Sequence, residues 1–272
     1  MKNIKFNNSI EMPMIGFGTY KITDKEELKT SLKNAINAGY RKIDTAQVYQ
    51  NEHLIGEALK EIDIDRKELF ITTKIWNTKQ GYNSTRESFE ESLKKLDMEY
   101  VDLLLIHWPG QDTERCIETW RALEHIYQSK KARSIGLSNF EIPHLKNIFA
   151  HCTIAPVLNQ LEIHPLLTQK ELIQYCREHH IVVEAWSPIA RNKLADNEIL
   201  IKIAKKYNKT VNQIILRWHL ENDLVSIPKS SNKERIEENI NIFDFSLEKE
   251  EISQIDSLNI NERIGPNPFD FF

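Results

Sequence analysis

Glycine is scarce in this sequence. The chain has 8 glycines among 272 residues, whereas glycine makes up about 7% of average proteins. Flexible linkers, collagen-like repeats and glycine-rich phosphate loops all need more glycine than this. The nearest match to a dinucleotide-binding GxGxxG turn, residues 16–21, has Lys21 in place of the third glycine. The sequence therefore argues against all of these structures.

Cysteine and long apolar runs are also sparse. The three cysteines, Cys116, Cys152 and Cys176, are odd in number and show no CxxC spacing, which argues against a disulfide framework or a structural zinc site. No apolar run approaches the roughly 18 residues of a membrane helix, and residues 1–12 lack the apolar core of a signal peptide. We therefore expect a soluble, cytoplasmic protein without a metal.

Neither sign of charge dominates. The 36 Lys and Arg residues and 40 Asp and Glu residues give a net charge of −4 at pH 7, and 40% of the chain is hydrophobic. That hydrophobic content is enough for a sizeable core, and a length of 272 residues is enough for one large domain or two ordinary ones. The mild negative charge gives no reason to expect nucleic acid or a membrane as partner.

Helix starts are visible as capping boxes, in which a hydroxyl side chain and a Glu or Gln three residues later satisfy free backbone amides. Such pairs occur at Thr23/Glu26, Ser84/Glu87, Thr168/Glu171 and Thr210/Gln213. Short apolar runs alternate with these helices, at residues 40–44, 70–75, 101–106, 134–138, 157–161, 181–186 and 224–227. Near-continuous hydrophobic strands are typical of a parallel sheet covered on both faces.

The spacing of these strands predicts the architecture. The strand-end markers are Gly18, Asp44, Lys74, His107, Ser138, Gln160, Trp186 and Pro228, with gaps of 26, 30, 33, 31, 22, 26 and 42 residues. Eight strands with seven helix-sized crossovers predict an α/β fold of the (β/α)8 barrel type. Residues 1–12 would form a hairpin at the barrel floor, and the longest gap has room for an extra helix. A doubly wound sheet would need the glycine-rich turn that is lacking.

Polar residues stand where the predicted strands end, which is where barrel enzymes place their chemistry. These residues are Asp44, Lys74 and His107, with Tyr49 in the loop after Asp44. A single Asp or His there is more often a cap or a satisfied core group. Four titratable residues converging on one face favour a functional site, because burying them without partners would be costly.

Five segments around these residues resemble the signature segments of the aldo-keto reductases. They are residues 44–49 (DTAQVY), 73–76 (TKIW), 106–109 (IHWP), 135–140 (IGLSNF) and 227–230 (IPKS). The resemblance implies a single barrel domain over residues 1–272, with extra helices near the C-terminus, and NADPH-dependent reduction of aldehydes and ketones. It also leans towards a monomer. The string at 184–188 (EAWSP) and the tail at 265–268 (GPNP) look most like the microbial branch of 2,5-diketo-D-gluconate and glyoxal or methylglyoxal reductases.

The expected chemistry follows from the reaction. Hydride delivered to a carbonyl carbon leaves an alkoxide, so the site needs a proton donor. A free tyrosine has a pKa near ~10, and a neighbouring lysine ammonium would lower it. We therefore expect Tyr49 to donate the proton, Lys74 to assist it, Asp44 to hold Lys74, and His107 to orient the carbonyl oxygen.

The resemblance also implies the cofactor contacts. Ser138, Asn139 and Gln160 would bind the nicotinamide carboxamide, Trp186 would stack on the ring, and Ser187 would lie on the pyrophosphate side. Residues 229–239 open a helix after the last strand, a place suited to phosphate. There the resemblance assigns Lys229, Ser230, Asn232 and Arg235 to the adenosine 2′-phosphate, and Glu238 and Asn239 to adenine.

The substrate pocket is the least determined part. Tyr20, Trp76, His107 and Trp108 are expected to line it, and the aromatic tail (Phe269, Phe271 and Phe272) would fold over the barrel mouth. His164, His179 and His180 lack a supporting carboxylate pattern and are interpreted as surface or structural residues.

Two other functions stay open at this point. A regulatory or redox-sensing barrel would bind NADPH with negligible turnover, but it would have no need of the proton donor Tyr49. A metal-dependent hydrolase would use Asp44, His107 and His164, but the sequence offers it no HxH pair.

Overall fold

The computed structural model describes residues 2–272 of the chain. Eight parallel strands form one sheet in which each strand pairs with its neighbour in sequence. The strands are β3 (Phe17–Gly18), β4 (Lys42–Asp44), β5 (Phe70–Ile75), β6 (Leu103–Ile106), β7 (Ile135–Ser138), β8 (Leu158–Glu162), β9 (Val182–Trp186) and β10 (Val225–Ser226). The predicted strands are therefore confirmed, with ends that shift by up to two residues.

The sheet closes on itself. Ile15 forms a parallel bridge with Ser226, and the amide of Gly16 donates to the backbone oxygen of Ser226 at 2.8 Å. The first and last strands are thus joined, which a doubly wound open sheet would not allow. The predicted (β/α)8 barrel is confirmed.

Helices connect the strands and cover the barrel. They are α1 (Lys25–Asn37), α2 (Glu52–Lys60), α3 (Tyr82–Leu96), α4 (Thr113–Gln128), α5 (Ile142–His151), α6 (Lys170–Glu178), α7 (Glu198–Tyr207), α8 (Val211–Glu221), α9 (Lys233–Ile240) and α10 (Lys249–Asp256). The longest gap between strands holds both α7 and α8, as its length predicts. Within residues 2–272, no helix combines the length and apolarity needed to cross a membrane.

A short hairpin covers the barrel floor, as expected. Strands β1 (Asn3–Lys5) and β2 (Glu11–Pro13) pair antiparallel. Phe6 and Met12 are buried against inward-facing barrel residues, and the ring centroid of Phe6 lies 6.2 Å from that of Phe70. The floor is therefore sealed by apolar contacts, and polar chemistry is left to the opposite end.

Only one predicted capping box has the expected form. The Thr210 hydroxyl accepts from the Gln213 amide at 3.3 Å, and the Gln213 side chain accepts from the Thr210 amide at 2.9 Å. At α1 the cap is Asp24 instead of Thr23, since the Asp24 carboxylate accepts from the Glu27 amide at 2.8 Å. A carboxylate one residue later satisfies the same free amides.

The other two predicted boxes were wrong. Helix α3 begins before Ser84, whose hydroxyl donates to the backbone oxygen of Gln80 at 2.6 Å. Helix α6 begins two residues after Thr168, whose own amide is bound by the Asn259 side chain at 3.0 Å. In both cases a side chain hydrogen bond to nearby or distant backbone competes with the local cap.

Candidate active site

The polar residues predicted at the strand ends lie together at the barrel mouth. Asp44 ends β4, Lys74 is the next-to-last residue of β5, and His107 directly follows β6. The carboxyl ends of parallel strands share one side of a barrel. Tyr49 joins them from a helical turn after β4, and its ring centroid lies 5.8 Å from that of His107.

Asp44 and Lys74 form a buried ion pair. The Nζ of Lys74 donates to Oδ1 of Asp44 at 2.5 Å and to the backbone oxygen of Thr45 at 2.9 Å. The exposed fractions of the two side chains are 2% for Asp44 and 0% for Lys74. Burial lowers the pKa of Lys74, and Asp44 opposes that shift. Lys74 therefore has the counter-ion that an inward-pointing lysine requires.

Tyr49 lies beside this pair, with its ring centroid 5.2 Å from the Lys74 ammonium. Burial raises the pKa of Tyr49 well above its usual value, and the Asp44 carboxylate adds to the rise. The expected lowering by Lys74 is thus wrong for the free protein, because desolvation disfavours the phenolate. The phenol is protonated at neutral pH, which is the form a proton donor needs.

His107 is a buried, neutral imidazole. Its ring centroid lies 5.1 Å from the Trp76 ring, and burial, together with the charge of Lys74, holds its pKa well below the usual value. Its Nδ1 atom is buried without a hydrogen-bond partner in residues 2–272. Buried polar atoms are normally satisfied, so this atom points to a group that binds from outside the chain.

Three residues assigned to the cofactor form a hydrogen-bonded group at the ends of β7 and β9. The Asn139 amide donates to the Ser138 hydroxyl and to the His107 backbone oxygen, both at 3.0 Å. The Trp186 indole donates to the Asn139 side-chain oxygen at 2.8 Å. Ser187, the next residue, adopts a left-handed φ of 49°. The Trp186 ring is therefore held in place before any ligand binds.

Gln160 lies on β8 and is 2% exposed. Its Nε2 donates to Oδ2 of Asp44 at 2.8 Å. Its Oε1 accepts no hydrogen bond within residues 2–272. A free acceptor oxygen here suits a ligand that carries a primary amide, such as the carboxamide of nicotinamide. The residues present therefore fit that ring at the mouth.

The segment 229–239 also reaches the mouth. The backbone oxygen of Pro228 accepts from the Gly18 amide at 3.1 Å, beside the end of β4. Lys229 and Arg235 are exposed, while the Asn232 side chain caps α9 by accepting from the Arg235 amide at 2.9 Å. Exposed cations beside a helix start suit a phosphate group.

The other three residues assigned to this segment differ in exposure. The Ser230 hydroxyl accepts from the Asn232 amide at 3.2 Å. Glu238 is exposed, whereas Asn239 is buried. Glu238 is therefore open to a ligand, whereas Asn239, at 4% exposed, offers a ligand very little surface.

Aromatic rings surround the mouth as expected. The Tyr20 and Tyr49 ring centroids are 5.0 Å apart. Trp76 is half-buried and Trp108 is buried, and the Trp108 and Trp186 centroids are 6.4 Å apart. The walls are thus apolar around a polar base, which is the usual composition of a small-molecule pocket.

The C-terminal tail, residues 265–272, lies over this pocket. The Phe271 ring is 4.5 Å from the Trp108 ring, and the Phe272 ring is 5.0 Å from the Trp76 ring. The Gln111 side chain donates to the backbone oxygen of Phe269 at 2.6 Å. The expected fold of the tail over the mouth matches these contacts.

The residue that fixes this tail is Glu162, which was not predicted from the sequence. The Glu162 carboxylate accepts from the Ile264 amide at 2.6 Å and from the Gly265 amide at 3.1 Å. It also bonds Nε2 of His164 at 3.0 Å. Burial raises the pKa of Glu162, but these hydrogen bonds outweigh burial and lower it. The expectation that His164 lacks a carboxylate partner is therefore wrong. The signal was the spacing of two residues between Glu162 and His164, which puts both side chains on the same side of extended backbone.

Two of the residues considered for a metal-dependent hydrolase form pairs with different partners. Asp44 pairs with Lys74, and His164 pairs with Glu162. Within residues 2–272, no three His, Cys, Asp or Glu side chains form a group that could hold a metal ion.

The barrel and its polar mouth define the class of protein. Residues 14–260 match the model of the aldo/keto reductase family. The chain belongs to the aldo/keto reductase family, which confirms the resemblance of the five segments and makes it an oxidoreductase.

Individual proteins of this family are similar to the chain over nearly its whole length. The chain is 50% identical to a glyoxal reductase of Bacillus subtilis, covering 97% of this chain and 95% of the relative. It is 44% identical to the methylglyoxal reductase DkgA of Yersinia pestis, with the same two coverages of 97% and 95%. Among solved structures, a substituted form of Gox0644 in complex with NADPH superposes with a TM-score of 0.95 at 38% identity, covering 100% of this chain and 98% of that one.

Proposed function

We propose that this protein reduces small aldehydes, ketones and α-dicarbonyls to alcohols with NADPH as the hydride donor, and that Tyr49 supplies the proton. The observation that carries the proposal is the buried Asp44–Lys74 ion pair beside a protonated Tyr49. Relatives named for glyoxal and methylglyoxal support α-dicarbonyls as the substrate class.

The chain's own residues account for the proton. Bound NADPH would supply the hydride that forms the new C–H bond, which would leave the carbonyl π electrons on oxygen. The Tyr49 phenol then gives its proton to that oxygen, and the resulting phenolate is stabilised by the Lys74 ammonium. The neutral His107 ring donates a hydrogen bond to the same oxygen and orients the carbonyl. Water from solvent restores the phenol.

The cofactor would lie across three parts of the mouth. Asn139 and Gln160 would bind the carboxamide, and Trp186 would stack on the nicotinamide. Lys229 and Arg235 would bind the 2′-phosphate as charge-assisted partners, which favours NADPH over NADH. Support comes from the exposure of both cations beside the first turn of α9.

Four further properties remain proposals. The chain would act as a monomer in the cytoplasm, and residues 1–272 would work as one domain, with no nucleic acid partner. The formal charge of −4 and the family resemblance support these points. Sedimentation of the purified protein would test whether it is a monomer.

The deciding experiment follows NADPH absorbance with a panel of aldehydes, ketones and α-dicarbonyls. We expect oxidation of NADPH with at least the small dicarbonyls, unaffected by a chelator. NADPH binding without oxidation across the whole panel would contradict the reductase and favour a sensing barrel.

A further inference from the structure

A second buried ion pair lies deeper in the barrel, below Asp44. The Lys42 ammonium contacts the Glu184 carboxylate, and both side chains are 0% exposed. Lys42 precedes Asp44 by two residues and therefore lies on the same, inward face of β4. Glu184 precedes Trp186 by two residues and likewise lies on the same, inward face of β9. Gly16 leaves room for the pair, since a Cβ there would lie 2.9 Å from the Lys42 side chain.

Contact between an ammonium and a carboxylate favours the ionised form of each, and burial opposes it. Burial lowers the pKa of Lys42 to about 7, Lys74 adds to that shift, and Asp44 opposes it. The Phe70 ring also lies near the pair, with its centroid 5.9 Å from the ammonium. A carboxylate kept ionised by Lys42 can only accept hydrogen bonds.

Gln160 connects the two ion pairs. Its Nε2 donates to Oδ2 of Asp44 at 2.8 Å and to Oε1 of Glu184 at 2.6 Å. Glu184 is also the register partner of Gln160 across the β8–β9 pairing. Each of the two N–H bonds of the amide therefore has a carboxylate acceptor.

This arrangement removes the usual ambiguity of a glutamine side chain. An amide nitrogen only donates and an amide oxygen only accepts, so two acceptor-only neighbours demand that the nitrogen face both of them. A flipped amide would set its oxygen against two anions and leave its N–H groups without these acceptors. The oxygen of Gln160 must then face the other way, where no residue within 2–272 donates to it.

We propose that Glu184, neutralised by Lys42, is a positioning residue that fixes the Gln160 amide and presents its oxygen to an N–H of the nicotinamide carboxamide. The inference rests on the proposed NADPH function. Glu184 does not touch the cofactor; it acts through Gln160. With an apolar residue in its place, one N–H of Gln160 loses its buried acceptor, and the amide turns to recover a partner.

The test compares ligands that do and do not carry the carboxamide. The main variant, Lys42→Met/Glu184→Leu, removes both charges at similar volume, a change that buried pairs often tolerate. Affinity is measured by quenching of tryptophan fluorescence with NADP⁺, with adenosine 2′,5′-bisphosphate, and with the 3-acetylpyridine analogue of NADP⁺, which has a methyl group in place of the amide nitrogen. We expect about tenfold weaker binding of NADP⁺, the effect of one hydrogen bond, and wild-type affinity for the other two ligands.

A conservative variant provides the rescue. In Lys42→Met/Glu184→Gln the new amide offers an oxygen to Gln160, so most of the NADP⁺ affinity should return. If the leucine variant does not fold, Lys42→Met/Glu184→Val carries the same expectation.

Two outcomes overturn the inference. One is wild-type NADP⁺ affinity in a folded leucine or valine variant; the other is an equal loss for NADP⁺ and for the bisphosphate. Both differ from failure of the proposed function, in which the wild-type protein itself would not bind or oxidise NADPH.

Discussion

Gly265 of the tail lies against the ring of Trp186 so closely that a Cβ at this position would come within 2.3 Å of the ring. The tail is held there by the Glu162 carboxylate, which also lies 3.1 Å from that Cβ position. Trp186 in turn donates to Asn139. The position of the tail and the geometry of the candidate nicotinamide site are therefore mechanically linked.

Gly265→Ala should weaken NADPH binding. The added methyl group cannot fit without moving the Trp186 ring or the tail, because a contact of this length is far inside van der Waals distance. We expect a several-fold higher Kd for NADPH and a changed tryptophan emission spectrum. Pro266→Ala, at the exposed neighbouring position, is the control and should bind as the wild type does. Equal affinities in all three proteins would show that the tail and the ring are not linked.

Tyr49→Phe should abolish carbonyl reduction and leave NADPH binding largely intact. Loss of a general acid costs roughly 10²- to 10⁴-fold in rate. The phenol makes no hydrogen bond within residues 2–272, so its removal should not disturb the NADPH site. The measurements are kcat with an α-dicarbonyl and Kd for NADPH. Tyr20→Phe is the matched control, since its ring lies 5.0 Å from that of Tyr49. An active Tyr49→Phe enzyme would contradict the proton-donor role.

The Tyr49 phenol should titrate above the usual tyrosine range in the protein without cofactor. Its pKa is raised by burial and by Asp44, so the protonated form persists as pH rises through about 10. An ultraviolet difference titration of wild type against Tyr49→Phe isolates the phenolate signal of this residue. We expect no such signal below about pH 10. A phenolate that forms near pH 8 would mean that the Lys74 charge dominates over burial.

Breaking the Asp44–Lys74 pair on one side should cost more than removing both charges. Lys74→Met leaves a buried carboxylate without its cation, at a cost of about 3–5 kcal/mol in the free energy of unfolding. Lys74→Met/Asp44→Leu removes the uncompensated charge and should recover part of that loss, although Gln160 loses an acceptor. Urea unfolding of the three proteins makes the comparison. A double variant less stable than Lys74→Met would refute this account.

The strand pattern was predictable because most strands contain a short run of apolar or β-branched residues, and several of these runs stop at a polar residue. Asp44, Lys74 and His107 stand where such runs stop, so their convergence follows from the parallel sheet alone. Helix starts were less predictable. Asp24, Ser84 and Thr168 show that several nearby side chains can satisfy the same amides, and tertiary contacts choose among them.

The missed residues depend on contacts that are distant in sequence. Glu162 binds the tail about a hundred positions away, and Lys42 pairs with Glu184 across the barrel. Charged residues at inward-facing strand positions are visible in the sequence. Which residues they pair with depends on how the barrel closes, and the sequence does not show that. The pKa of Tyr49 was expected in the wrong direction because proximity to Lys74 can be inferred from motifs, whereas the degree of burial cannot.

Arg235→Ala should reduce the preference for NADPH over NADH. Arg235 is exposed in the first turn of α9, where its guanidinium can reach a 2′-phosphate and where NADH offers only a hydroxyl group. A charge-assisted hydrogen bond contributes about 1.5–3 kcal/mol, so we expect the Kd for NADPH to rise roughly tenfold or more while the Kd for NADH stays nearly constant. Lys233→Ala is the matched control, because Lys233 is also exposed, and its ammonium lies 3.9 Å from the Glu237 carboxylate of the same helix. If both cofactors lose affinity equally in Arg235→Ala, the residue does not read the 2′-phosphate.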